Sequence, residues 1–152
     1  MTRKAIAVGL AVSAVACIGP LSEDIQSHYA DAASARRAGA FDHGWLPEFV
    51  PDDATDISEL HNLDTSVTWA CFSNPQGPAS LRALLEKHGA KRASGPVSAG
   101  PPALFGRRAW WPALMAKPGV EAYRVVEDSR FTLLVGVDPG SGRACFHRGS
   151  HP

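Results

Sequence analysis

The chain has 152 residues, and its 15 lysine and arginine residues balance its 15 aspartate and glutamate residues. This length favours one domain with a core of its own. The balanced charge supplies no basic field that would attract nucleic acid, so we expect no nucleic-acid partner.

The first 21 residues have the layout of an export signal or a membrane anchor. Two basic residues precede an uncharged apolar run, Ala5–Ala16, which is the order found in secretory signals. The residues Ala-Val-Ala-Cys at positions 14–17 resemble a bacterial lipobox in which Ala14 replaces the usual leucine. Cys17 is therefore the candidate lipidation site.

Three fates of this segment stay open: a lipoprotein modified at Cys17, an uncleaved anchor, and a cleaved signal that releases a free protein. The apolar run Ala5–Leu21 is at the short limit for a spanning helix, which needs about 17–25 residues. All three fates place Ser22 and the residues after it outside the cytoplasm. We therefore expect an exported protein, attached to the membrane through its N-terminus and facing the periplasm or the cell exterior.

Residues 22–41 are predicted to form a juxtamembrane helix. Ser22 is a suitable N-cap, Arg36 and Arg37 fall in the last turn, and Gly39 is a suitable stop. Because its apolar stripe is thin, a packing or stalk helix is favoured over a helix that binds a partner.

A junction segment, Gly44–Ile57, concentrates residues that fix a structure. Two prolines restrict its backbone, while Trp45 and Phe49 carry large apolar area. We expect both rings to be buried where the helix meets a sheet, and Asp52–Asp56 to turn the chain into the first strand.

Residues 42–149 are predicted to form a single α+β domain. Leucines at helical spacing indicate a helix over Pro78–His88, followed by a surface loop over Ala90–Pro102. Alternating apolar residues and turn residues predict an antiparallel sheet of about five strands with that helix on one face. The predicted strands are Ile57–Leu63, Ser66–Ser73, Val120–Val126, Arg130–Val137 and Arg143–Arg148.

Two cysteines, Cys71 and Cys145, lie in predicted strands. They can pair as a disulfide in an oxidising compartment, or they can be small buried apolar residues. The sequence alone leaves both alternatives open.

Two adjacent tryptophans, Trp110 and Trp111, follow Arg107 and Arg108. Tryptophan and arginine are enriched at binding surfaces, so these four residues are the candidate binding site. The alternative is that one ring belongs to the core and the other covers it.

Motifs for other chemistry are not found in the sequence. No histidine and cysteine spacing fits zinc, no glycine motif fits a phosphate or a nucleotide, and no spacing selects a catalytic triad. We therefore assign no metal, cofactor or catalytic residue.

The order of these elements resembles small bacterial lipoproteins and membrane-anchored envelope proteins, with the likeness at Cys17 and Gly44–Phe72. The resemblance implies a cell-envelope location and no catalytic residue. We expect a non-enzymatic module that binds an envelope protein or has a structural role. The alternatives are a small-ligand or glycan binder that uses Trp110 and Trp111, and, with least support, an envelope hydrolase.

Overall fold

The computed structural model describes residues 23–94, residue 114 and residues 117–150. In this part of the chain, seven strands form one antiparallel sheet in the order β1-β2-β3-β7-β6-β5-β4. The strands are β1 (Asp24–Asp31), β2 (Thr55–Asn62), β3 (Thr68–Ser73), β4 (Lys91–Arg92), β5 (Glu121–Val126), β6 (Phe131–Val137) and β7 (Arg143–Ser150). The helices are α1 (Ala32–Arg37) and α2 (Pro78–Lys87).

The predicted α+β domain of about five strands behind an N-terminal helix is wrong, because the structure is a seven-stranded sheet. The two strands that the prediction missed are β1 and β4. Strand β4 lies in the stretch predicted as a loop, where its two residues pair with Arg124 and Tyr123 of β5.

The helix predicted over residues 22–41 is wrong in its first part, because Asp24–Asp31 pairs along β2 instead. The helix begins only after Asp31, whose carboxylate accepts a hydrogen bond from the backbone N–H of Ser34. It ends before Gly39, whose φ of +80° is a conformation that favours glycine. Pairing with a neighbouring strand outweighed the local helical preference of the first eight residues.

Two antiparallel meanders build the sheet. Strands β1, β2 and β3 are neighbours in the order of the chain, and so are β5, β6 and β7. The meanders join where β3 pairs with β7, with Cys71 directly opposite Cys145.

The main core lies on the sheet face that carries α2 and the junction segment. The helix predicted over Pro78–His88 is present as α2, and its Leu81 and Leu85 are fully buried. From the junction segment, Phe49 packs edge-on against Phe146 of β7, with ring centroids 5.8 Å apart. A smaller apolar cluster is formed by Leu60, Trp69, Cys71, Leu114 and Cys145.

None of the helices in residues 23–94 and 117–150 has the length and apolar character needed to cross a membrane.

Candidate functional site

A carboxyl group and an imidazole are buried side by side on strand β2. Side chains alternate between the two faces of a strand, so Glu59 and His61 share the face on which Ile57 enters the main core. Glu59 is 0% exposed and His61 is 1% exposed. Their side chains are joined by a hydrogen bond of 2.6 Å between Glu59 Oε1 and His61 Nδ1. We call these two residues the Glu59–His61 pair.

Burial sets the protonation of this pair. Loss of hydration raises the pKa of Glu59 to about 8, because the charged carboxylate is the form that burial penalises. Burial also lowers the pKa of His61, and the nearby His43 lowers it further. At neutral pH the pair therefore holds one proton and has no net charge.

Three buried polar atoms near this pair have no hydrogen-bond partner among the described residues: Glu59 Oε2, His61 Nε2 and Thr68 Oγ1. Thr68 lies on β3 directly opposite His61. Buried polar atoms are normally hydrogen-bonded, and a buried polar atom without a partner raises the free energy of the folded protein. Burial of the pair therefore lowers the stability of the folded protein, and the packing around the pair must compensate for this.

Trp45 of the junction segment covers the pair. Its indole stacks on the His61 imidazole, with ring centroids 3.8 Å apart and planes inclined by 15°. His43 lies against the same indole at 4.7 Å. The backbone N–H groups of Trp45 and Leu46 both donate to the carbonyl oxygen of Ala40, which fixes the segment in place.

Arg148 fastens the junction segment to the sheet from the far end of β7. Its Nη1 donates to the carbonyl oxygen of Gly44 at 3.2 Å. Its Nε donates to Glu127 Oε2 at 2.6 Å, and the guanidinium lies 4.4 Å from the centre of the Phe131 ring. The charge of Arg148 is therefore already matched by Glu127.

In this closed arrangement the pair can store or release a proton, but Trp45 and the sheet keep it from contact with a substrate. No group of three or more metal-ligating side chains occurs within the described ranges. The geometry therefore describes a sealed proton-holding pair.

Cys71 and Cys145 form a disulfide that crosses from β3 to β7. Their Cα atoms are 4.0 Å apart, well inside the limit of about 7 Å beyond which a bridge would need backbone movement. Both residues are fully buried. The bond therefore links the two meanders covalently at the pair of strands where they meet.

The other predicted site residues lie outside the described residues. These are the lipidation candidate and the four residues of the candidate binding site, namely Cys17, Arg107, Arg108, Trp110 and Trp111. They stay predictions.

The Glu59–His61 pair was missed at the sequence level. A signal was present, because Glu59 and His61 continue the alternation that begins at the apolar Ile57. Charged residues are rarely fully buried, so the pattern alone favours an outward direction for them.

Residues 23–73 match the model of a protein family, the YbbD head domain. The match covers about a third of the chain and runs from the residue before β1 to the end of β3. It therefore includes the Glu59–His61 pair and Trp45, while α2 and strands β4–β7 lie beyond it. Comparison with curated proteins and with solved structures gives no match. The first three strands of the sheet therefore belong to a segment that is similar to the YbbD head domain.

Proposed function

We propose that the protein is exported to the bacterial cell envelope and acts there as a non-enzymatic module that binds a protein partner along strand β1. The observation that carries the proposal is the position of β1 at the end of the strand order, where it pairs with β2 alone among the described strands.

The disulfide supports the location. Disulfides persist in oxidising compartments and are rare in the bacterial cytoplasm. Cys71 and Cys145 are fully buried on two adjacent strands, so the bond belongs to the folded core. Export through the segment before residue 22 would deliver the chain to a compartment where this bond forms.

Strand β1 has the features of a template for strand addition. It spans eight residues without proline or lysine, the residues that commonly block the edge of a sheet. Its pairing with β2 keeps one register from Asp24 to Tyr29. Ile25 is 39% exposed although it is a large apolar residue. A partner that supplies an extended segment beside this strand would gain an apolar contact at Ile25.

Site-specific photo-crosslinking in cells tests the partner. A crosslinking amino acid at Ile25 or Ala30 on β1 is expected to give a discrete protein adduct, and the same amino acid at the exposed Ala83 of α2 is not. Ala30→Lys should remove the adduct from the Ile25 position, because an edge lysine opposes strand addition. Ala83→Lys is the control with the same added charge. Equal adducts at β1 and at Ala83, or no effect of Ala30→Lys, would reject β1 as the binding edge.

Metabolic labelling with palmitate tests the mode of attachment. A lipoprotein should incorporate label, and Cys17→Ser should abolish it. Label-free protein that stays in the membrane fraction indicates an uncleaved anchor, and release from the membrane indicates a cleaved signal. Recovery of the protein in the cytoplasm with reduced Cys71 and Cys145 would refute export altogether.

A further inference from the structure

We propose that Trp45 closes a proton-controlled latch over the Glu59–His61 pair: the segment around Trp45 stays closed while the pair keeps its proton and opens when that proton leaves. Opening admits water to a carboxylate that the closed protein cannot accommodate.

The first argument is that none of the described residues opposite the pair gives a charged Glu59 a positive partner. On β1 the residues opposite the pair are Ser27 and Ile25, and on β3 they are Ala70 and Thr68. None of these four side chains carries a charge. A carboxylate in this position would be both dehydrated and unmatched, which is a costly state.

The nearest ionisable groups on the other neighbouring elements do not supply that partner. Arg148 of β7 is bound to Glu127 and to the carbonyl oxygen of Gly44. His43 is exposed, its ring is tilted against the Trp45 indole, and its nearness lowers the pKa of His61, whereas the raised pKa of Glu59 is caused by burial. The closed state therefore depends on the proton that Glu59 and His61 share.

The second argument is that the cover is local and can move. Trp45 is half-buried, in contrast to the fully buried pair beneath it. Two glycines with positive φ precede Trp45 in the chain, Gly39 at +80° and Gly44 at +73°. The backbone of the cover is held by the N–H groups of Trp45 and Leu46, which share one acceptor on Ala40. These two bonds and the Arg148 bond to the Gly44 carbonyl must break on opening. None of them belongs to the pairing of the strands, so the sheet can stay folded when the segment opens.

The pH range of the latch follows from the two protonation states. The carboxyl of Glu59 has a pKa of about 8 when closed, and its ordinary value of 4.5 applies once water enters. Between these values the open form gains about tenfold in population for each pH unit, and the gain ends above pH 8. Below pH 6.5 the titration of His61 opposes the rise in the population of the open form. The effect of Glu59 alone is therefore expected between pH 6.5 and 8.

Native-state hydrogen exchange tests the latch. In the disulfide-bonded protein at low urea, the protection factors of the Trp45 and Leu46 amides should fall about tenfold per pH unit from 6.5 to 8 and then level off. The Phe72 amide in β3 should depend on urea, and the two latch amides should not. In Glu59→Gln, whose amide can still donate to His61, the latch amides should be independent of pH.

Three results would overturn the proposal: constant protection at Trp45 across this range, an unchanged pH dependence in Glu59→Gln, or latch amides that depend on urea as Phe72 does. If Glu59→Gln does not fold, carboxyl-carbon NMR of the unaltered protein decides instead. The Glu59 signal should titrate far above its ordinary value of 4.5, and titration at 4.5 while Trp45 stays protected would refute the latch.

Discussion

The half-buried indole of Trp45 lies nearly parallel to the fully buried imidazole of His61, with the ring centroids 3.8 Å apart. One ring thus shields the other from water. The contact joins the junction segment to β2 at the point where Glu59 and His61 interrupt an otherwise apolar core.

Trp45→Ala is expected to lower the free energy of unfolding by about 3 kcal/mol, the lower end for a large aromatic ring, because Trp45 is only half-buried. The variant loses the stack on His61 and admits water to Glu59. Trp45→Phe is the matched control and should lose less. Urea denaturation at neutral pH measures both. If Trp45→Ala were as stable as the parent but failed to bind the partner, the ring would be a binding residue and the structural role would be wrong.

Stability should fall as pH rises from 6.5 to 8. The folded protein holds the proton of Glu59 up to about pH 8, whereas the unfolded chain releases it near 4.5, so each pH unit between them favours unfolding. The loss over the window is roughly 2 kcal/mol. Below pH 6.5 the buried His61 and the half-buried His147, both with a lowered pKa, titrate in the opposite direction.

Glu59→Gln separates this effect from all other titrations. The variant should show a flat stability between pH 6.5 and 8 when unfolding is measured by urea at each pH. If the free energy of unfolding fell with pH in the variant as it does in the parent, another group would be the one that releases the proton.

Replacing both cysteines by alanine, at positions 71 and 145, should lower the free energy of unfolding by about 4 kcal/mol. The bond closes a loop with a sequence separation of 74 residues, which restricts the unfolded chain. Because both sulfurs are buried, a reductant should act quickly only when urea is present. Thiol labelling with and without urea checks this. Rapid reduction of the folded protein would show that β3 and β7 separate readily.

Asp138 should stabilise the turn between β6 and β7 until the solution is strongly acidic. Lys117, Ser141 and the backbone N–H of Gly140 bind its carboxylate and lower its pKa to about 2, from an ordinary value of 3.8. Its contribution is complete above pH 3.8 and is lost as the pH falls to about 2.

Asp138→Asn should therefore lower the free energy of unfolding by about 1 kcal/mol at pH 7, a modest amount because Lys117 is exposed to water. The difference from the parent should vanish near pH 2. Thermal unfolding across this pH range measures it. A difference that stayed constant from pH 7 to pH 2 would show that packing, and not charge, is responsible.

Elements with local signals could be predicted from the sequence. Helix α2 has leucines at helical spacing after a proline, and the turn Asp138–Gly142 has proline and glycine at suitable positions. The structure places α2 at Pro78–Lys87 and joins β6 to β7 through that turn. Such signals need no information from distant residues.

Elements that depend on distant partners could not be predicted. Strand β1 owes its extended form to β2, and Asp24 pairs with Asn62. Asp24 at its start and Glu23 just before it would also suit the first turn of a helix. The Glu59–His61 pair is hidden for a related reason, because only the fold shows that Trp45 covers this face.

The order of the strands has a consequence for how the chain reaches its final form. Strand β3 receives its second neighbour only when β7 has been made, since Cys145 follows Cys71 by 74 residues. Until then the first meander presents an unpaired edge with the sequence Thr-Trp-Ala-Cys-Phe-Ser. Such an edge is aggregation-prone and adhesive towards other extended chains. Pairing with β7 covers this edge, and the disulfide between Cys71 and Cys145 then holds the two strands together.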